Sequence, residues 1–317
     1  MNVGPRSRSA APVCAPLAQQ LARPPRTRAP ARAETAGRAL PRVGMHGAVG
    51  AIVGSPNLFP EDISMKTAVR ALLAAALVAA AQGARATPST VVWTPATTYT
   101  QPYLVPHLTY DTYVSERSGL ANTYGLTLGV LPSSAVLQGE VGFDLFYPGL
   151  TTADGLQLNG KLTLPEGLAG AWQPALSVGI ANAGFQEDVS DYHLLHATLS
   201  KATPVGTLGV GGYYGAGSEA LWSGSGGVER AGFMASYVSP DIKVGLPGID
   251  KLSVLADVAT GENWMGAVSG AVAVYFTPNV SLLTGPVFFL DTDLYDSTLG
   301  QDWMWTAQID VDIPFMK

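Results

Sequence analysis

The residues of this chain able to do chemistry are few, and most of them are carboxylates. After residue 64 the histidines are His107, His193 and His196, and the single cysteine, Cys14, lies before it. That excludes disulfides, thiol catalysis and cysteine–zinc sites from residue 65 onward. A hydrolase needs a nucleophile, a histidine and an orienting group within hydrogen-bond reach. No serine here sits in a recognisable nucleophile motif. His193 and His196, three apart, point to opposite faces of a strand. Asp291-Thr292-Asp293 has a calcium-loop flavour but lacks the glycine and closing glutamate, so it reads as solvated acidic surface. No metal or cofactor is expected. What remains is acids at even spacing, such as Asp310 with Asp312 and Glu140 with Asp144. On a strand, even spacing puts both members on one face.

The elements that position these acids begin only after two changes of composition. Residues 1–64 are rich in Ala, Pro and Arg, with eight Arg against three acids. They show no sustained apolar periodicity and are expected to be disordered. Residues 65–86 read MKTAVRALLAAALVAAAQGARA. Lys66 and Arg70 precede an apolar run from Ala71 to Ala81, and Ala84-Arg85-Ala86 supplies small residues two apart. This is the pattern of a secretory signal peptide, too short to span a bilayer as a helix. A signal peptide works at an N-terminus, so Met65 is the expected start and 1–64 a mis-assigned extension. The mature chain is then 87–317, beginning at Thr87. It carries 21 acids against seven Lys and Arg, which argues against nucleic acid as a partner.

The mature chain shows apolar residues at a period of two between regular turn signals. Trp303, Trp305, Ala307, Ile309, Val311, Ile313 and Phe315 alternate with Met304, Thr306, Gln308, Asp310, Asp312 and Pro314. One face of this strand meets an apolar medium and the other a polar one. Thirteen residues exceed the usual soluble strand and suffice to cross a bilayer with tilt. The same reading gives strands near 103–114, 122–131, 135–147, 155–165, 174–183, 192–202, 206–215, 228–238, 251–259, 265–276, 279–290 and 303–315. Short Pro-containing turns follow several even-numbered strands, and longer polar or Gly-rich segments follow most odd-numbered ones. The connections 166–173, 239–250 and 260–264 depart from that alternation. Trp172, Tyr147, Trp222, Tyr237, Tyr275, Phe276, Trp303, Trp305 and Phe315 fall near strand ends, where interfacial girdles belong. The expected fold is all-β: a closed antiparallel up-and-down transmembrane β-barrel of about 12 strands, preceded by a signal peptide.

The signal peptide, the alternating strands and the aromatic-rich last strand resemble Gram-negative bacterial outer-membrane β-barrel proteins as a class. The opening WTPATT, Trp93 to Thr98, is similar to uncharacterised proteobacterial barrels. The resemblance implies residence in outer-membrane lipid and Phe315 as an assembly signal read by the barrel assembly machinery.

Twelve strands enclose more space than side chains alone fill. The charges in the inward phase are Asp111, Glu140, Asp144, Asp257, Asp310 and Asp312 against Lys161 and Arg230, with most of the acids expected to be unpaired and wetted. Such a lumen favours cations. The first expectation is therefore a porin-like passive channel for small ions or solutes, with a cation-preferring lumen. The alternatives are a sealed structural or surface-binding barrel, in which Lys161 pairs with Glu140, and, weakest, an outer-membrane hydrolase.

Overall fold

Alternating side chains commit a segment to a strand with two unlike faces, and such strands are satisfied when neighbours pair them on both edges. The computed structural model describes residues 90–115, 119–132, 136–147 and 155–314, all within one compact unit. Twelve long strands follow one another: β1 Pro106–Ser115, β2 Gly119–Gly129, β3 Gln138–Tyr147, β4 Leu156–Leu164, β5 Ala175–Ala183, β6 Asp191–Thr203, β7 Gly206–Gly215, β8 Ala231–Val238, β9 Lys251–Ala259, β10 Ala267–Thr277, β11 Val280–Phe289 and β12 Trp303–Asp312. Each pairs antiparallel with its sequence neighbours, and β12 pairs back onto β1, closing the barrel without an edge. One helix, α1 Thr292–Leu299, lies between β11 and β12. Among the described residues no helix is long and apolar enough to cross a membrane, so any crossing falls to the strands.

The phase read from the sequence holds on β12. Trp303, Trp305 and Ile309 are exposed on the outside, and Met304, Thr306, Gln308, Asp310 and Asp312 are buried inside. Around the barrel the outward positions are apolar, among them Leu108, Val141, Leu162, Val210, Val272 and Phe288. A soluble monomer rarely exposes a contiguous apolar patch beyond a few hundred Å². This continuous belt on strands of eight to thirteen residues is the face of a membrane-spanning barrel. Charge returns at the ends: Lys201, in the outward phase of β6, meets Glu166 at 2.6 Å on the rim where β1 begins.

That rim, the lower one, carries the two-residue turns 204–205 and 278–279. It also carries the longer connections 165–174 and 239–250, the latter braced by Lys243 on Asp250 at 2.9 Å, a contact that holds the Asp250 carboxyl below its ordinary range. The upper rim carries the segments 184–190, 216–230, 260–266 and 290–302. Two aromatics expected in the interfacial girdles turn inward instead. Trp222 is buried in the upper segments, and Tyr275 lies buried under the Lys251 ammonium, 4.3 Å from its ring centre. Their nearness to strand ends was real, but loop folding and strand phase decided their direction. Tyr147's side chain and Phe315 lie outside the described residues, as do 1–64 and the signal segment 65–86.

Candidate functional site

The inward face of the barrel is polar on every strand of its β1–β5 half, and there the acids collect. Closure sets the register: His107 lies opposite Asp312, Thr109 opposite Asp310, and Asp111 opposite Gln308. The His107 ring then reaches two carboxylates at once, with Nδ1 2.9 Å from Asp312 and Nε2 3.2 Å from Asp310. On the next strands Glu140 and Lys161 are direct cross-strand neighbours, and their charges meet at 3.0 Å with both side chains buried. Asp111 accepts from Thr109 Oγ1 at 2.8 Å and Asp144 from Asn159 Nδ2 at 2.6 Å, both neutral donors. A bulge in β5 at Asn182, which takes the left-handed φ of 53°, turns its amide toward Gln157 Oε1 at 2.7 Å. Bulges re-aim side chains in this way, and asparagine tolerates that backbone.

These groups surround a cavity of about 110 Å³ whose lining includes His107, Asp111, Glu140, Asp144, His196 and Asp310. It is smaller than the ~300–1,000 Å³ usual for small-molecule sites. Three sequence expectations differ from this geometry. Arg230 sits at the upper rim just before β8, its side chain donating to the Gly215 carbonyl at 2.8 Å and the Gly217 carbonyl at 2.5 Å, and it does not line the cavity. Lys251 is the inward base on that side, 2.9 Å from Asp241. Asp310 and Asp312 are not free wetted acids, because barrel closure delivers His107 to them.

The remaining lumen is not empty. Residues 90–105 run down its inside before β1 begins, hydrogen-bonded to the wall mainly through side chains. Asp257 Oδ2 accepts the consecutive amides of Val92, Trp93 and Thr94 at 3.0, 3.0 and 2.8 Å, and the Thr94 hydroxyl at 3.0 Å. Its other oxygen takes the Ser269 hydroxyl. Lower down, Ser236 donates to the Ala96 carbonyl at 2.6 Å, Ser177 to the Thr97 carbonyl at 3.2 Å, and Thr100 to Thr163 Oγ1 at 2.6 Å. At the lower rim the Gln101 amide donates to Glu140 at 2.6 Å, and its side chain to Asp312 at 2.9 Å. Asp257, Glu140 and Asp312 therefore hold this strap as well as lining the wall.

Above the strap, the upper-rim segments fold inward into an aromatic lid. Trp264 packs on Trp222 at 5.4 Å, on Tyr192 at 4.9 Å and on Trp93 of the strap at 6.3 Å. Phe289 stacks on Tyr295 of α1, whose hydroxyl donates to the Trp264 carbonyl at 2.8 Å. The Trp222 indole N–H donates to the Tyr192 carbonyl at 3.0 Å. Gly215 makes room for this: a Cβ there would overlap the Trp222 ring. Strand alternation carried no signal for strap or lid. The clue to the strap was the segment Trp93–Thr98, rich in Thr yet placed before the first alternating run.

The fold and the lumen together define a class, a closed membrane-spanning β-barrel with an internal strap and a folded-in lid. No protein-family model and no curated protein matches the sequence. Among solved structures, an outer-membrane channel from Pseudomonas putida F1 is similar over 68% of this chain and 98% of its own, at 12% identity and a TM-score of 0.37. The NanC porin is similar over 66% of this chain and 100% of its own, at 10% identity and a TM-score of 0.41. Likenesses this weak carry no argument about function, and the fold rests on the barrel's own pairing.

Proposed function

We propose that this chain is an outer-membrane channel with a narrow acidic lumen that passes small cations, exported by the signal peptide at 65–86. The observation that supports it is the pair Asp111 and Asp144, which line the cavity and accept hydrogen bonds from neutral donors. A ring of carboxylates lowers the energy of a cation in a pore and raises that of an anion. Glu140 and Asp310 are engaged by Lys161 and the His107 ring, so Asp111 and Asp144 carry the selectivity. Reversal potentials in asymmetric KCl, with the barrel in planar bilayers, test this. The unsubstituted barrel is expected to prefer K⁺, and Asp111→Asn with Asp144→Asn to lose most of that preference. An anion-selective pore, or one indifferent to the double substitution, refutes the assignment.

A second reading is favoured by the strap and the lid, which together occupy the lumen. It makes the barrel a sealed structural element. It expects no single-channel steps in the same bilayers from barrel whose folding has been verified by heat-modifiable migration.

A further inference from the structure

The strap is hydrogen-bonded to the wall as a guest rather than as part of the sheet. The barrel closes through twelve strands without any contribution from residues 90–101. Most of the strap's wall bonds use side chains: Asp257, Ser236, Ser177, Thr163 and Glu140 on one side of each bond, and strap backbone or hydroxyls on the other. If the strap leaves, no strand-to-strand bond is lost and the polar wall groups uncovered are ones that water solvates well, while Val91, Val92, Ala96 and the Trp93 ring lose their apolar packing, which favours the strap-in state.

The wall is also shaped to receive it. A Cβ at Gly209 on β7 would come within 2.5 Å of the Ala96 carbonyl oxygen, and one at Gly129 on β2 would overlap the carbonyls of Gln101 and Pro102. Glycine at these two inward positions lets the strap lie against the sheet. At its lower end the strap makes a turn, closed by the Val105 amide on the Pro102 carbonyl at 3.1 Å. Leu104 sits at φ 56°, a left-handed conformation that branched and bulky residues rarely hold, between Pro102 and Pro106. The Leu104 amide is tied to the Gly129 carbonyl at 2.9 Å. Strained backbone at a switch is a recurrent device. At the upper end the holding points are the Asp257 carboxylate and Trp93, whose ring meets Phe289 at 5.4 Å and whose N–H donates to the Met265 carbonyl at 3.2 Å.

We infer that residues 90–101 are a displaceable gate, latched at Asp257 and Trp93 and pivoting at 102–105, whose withdrawal through the lower rim widens the lumen. The inference rests on the channel reading for its consequence but not for the movement itself. It predicts two states of one barrel: a narrow one with the strap in place and a wider one with it withdrawn.

The Thr100 and Thr163 hydroxyls, 2.6 Å apart, allow the gate to be locked. A disulfide needs sulfurs about 2.05 Å apart, and residues 65–317 contain no competing cysteine. Barrel carrying Thr100→Cys and Thr163→Cys is compared oxidised and reduced in planar bilayers. The expected result is loss of the larger conductance steps on oxidation and their return with dithiothreitol. In parallel, the single variant Thr100→Cys in folded barrel is treated with a membrane-impermeant maleimide, which requires no conduction. Labelling is expected, and it should be at least tenfold slower at Cys introduced by Thr163→Cys in barrel with an intact strap than with residues 90–101 deleted. Identical conductance in both redox states, together with no labelling of the Thr100→Cys thiol, overturns the gate and leaves the channel reading standing. Labelling without conductance in any variant keeps the moving strap and overturns the channel.

Discussion

Replacing Asp257 by Asn keeps the shape of the latch and removes its charge. In the native lumen one oxygen, Oδ2, accepts three consecutive amides and one hydroxyl at 2.8–3.0 Å. Hydrogen bonds to a charged group contribute about 1.5–3 kcal/mol each, against about 0.5–1.5 for neutral pairs. The loss per bond is therefore about 1 kcal/mol. Four donors sharing one acceptor are not additive, so about 2–3 kcal/mol is the expected shift toward the released strap. At 1.4 kcal/mol per tenfold this is a factor of roughly 30 to 150 in the opening equilibrium. Hydrogen exchange of the Val92, Trp93 and Thr94 amides reads that equilibrium when reclosing is fast. Their exchange should accelerate by that factor while amides within the strand ladder, such as those of Leu255 and Ala271, stay protected. Unchanged exchange at the three amides would show that the carboxylate does not hold the strap. Equal acceleration in the strands would show that strap and barrel form one cooperative unit, which refutes the guest description.

Gly215→Ala should expel the Trp222 indole from the lid, because a Cβ at that position overlaps its ring. Tryptophan emission should shift to longer wavelength in folded barrel, and an unshifted spectrum would mean the lid accommodates the methyl group. Lys161→Met leaves the Glu140 carboxylate buried without its 3.0 Å partner. Breaking a buried pair from one side costs about 3–5 kcal/mol, so the urea midpoint of the barrel in vesicles should fall. Adding Glu140→Gln should restore more than half of the loss. A midpoint insensitive to Lys161→Met would mean that lumen water already solvates Glu140.

The strands were legible in the sequence because alternation is local. Apolar residues at every second position of 303–315 state both that the segment is extended and which face meets lipid, and no distant residue is needed to read it. Alternation predicts β12 to Phe315, whereas the strand ends at Asp312; the Ile313 amide still donates to the Pro106 carbonyl at 2.9 Å, and Pro314 has no amide to carry the ladder on. The inward phase of Asp111, Glu140, Asp144, Asp257, Asp310 and Asp312 followed from the same alternation. What those acids meet inside did not follow. His107 reaches Asp310 and Asp312 across 203 and 205 positions of chain only because the barrel closes, and Asp257 meets Val92 through a segment with no periodicity at all. Arg230 and Trp222 shared a neighbourhood with strand ends, and the folding of 216–230 into the upper lumen set where they point. Local pattern thus determined the strands and the face of each side chain, because lipid and lumen impose a period of two. The contents of the lumen were decided by tertiary structure, because a strap and a lid are held by contacts between residues far apart in the chain, each too irregular to announce itself.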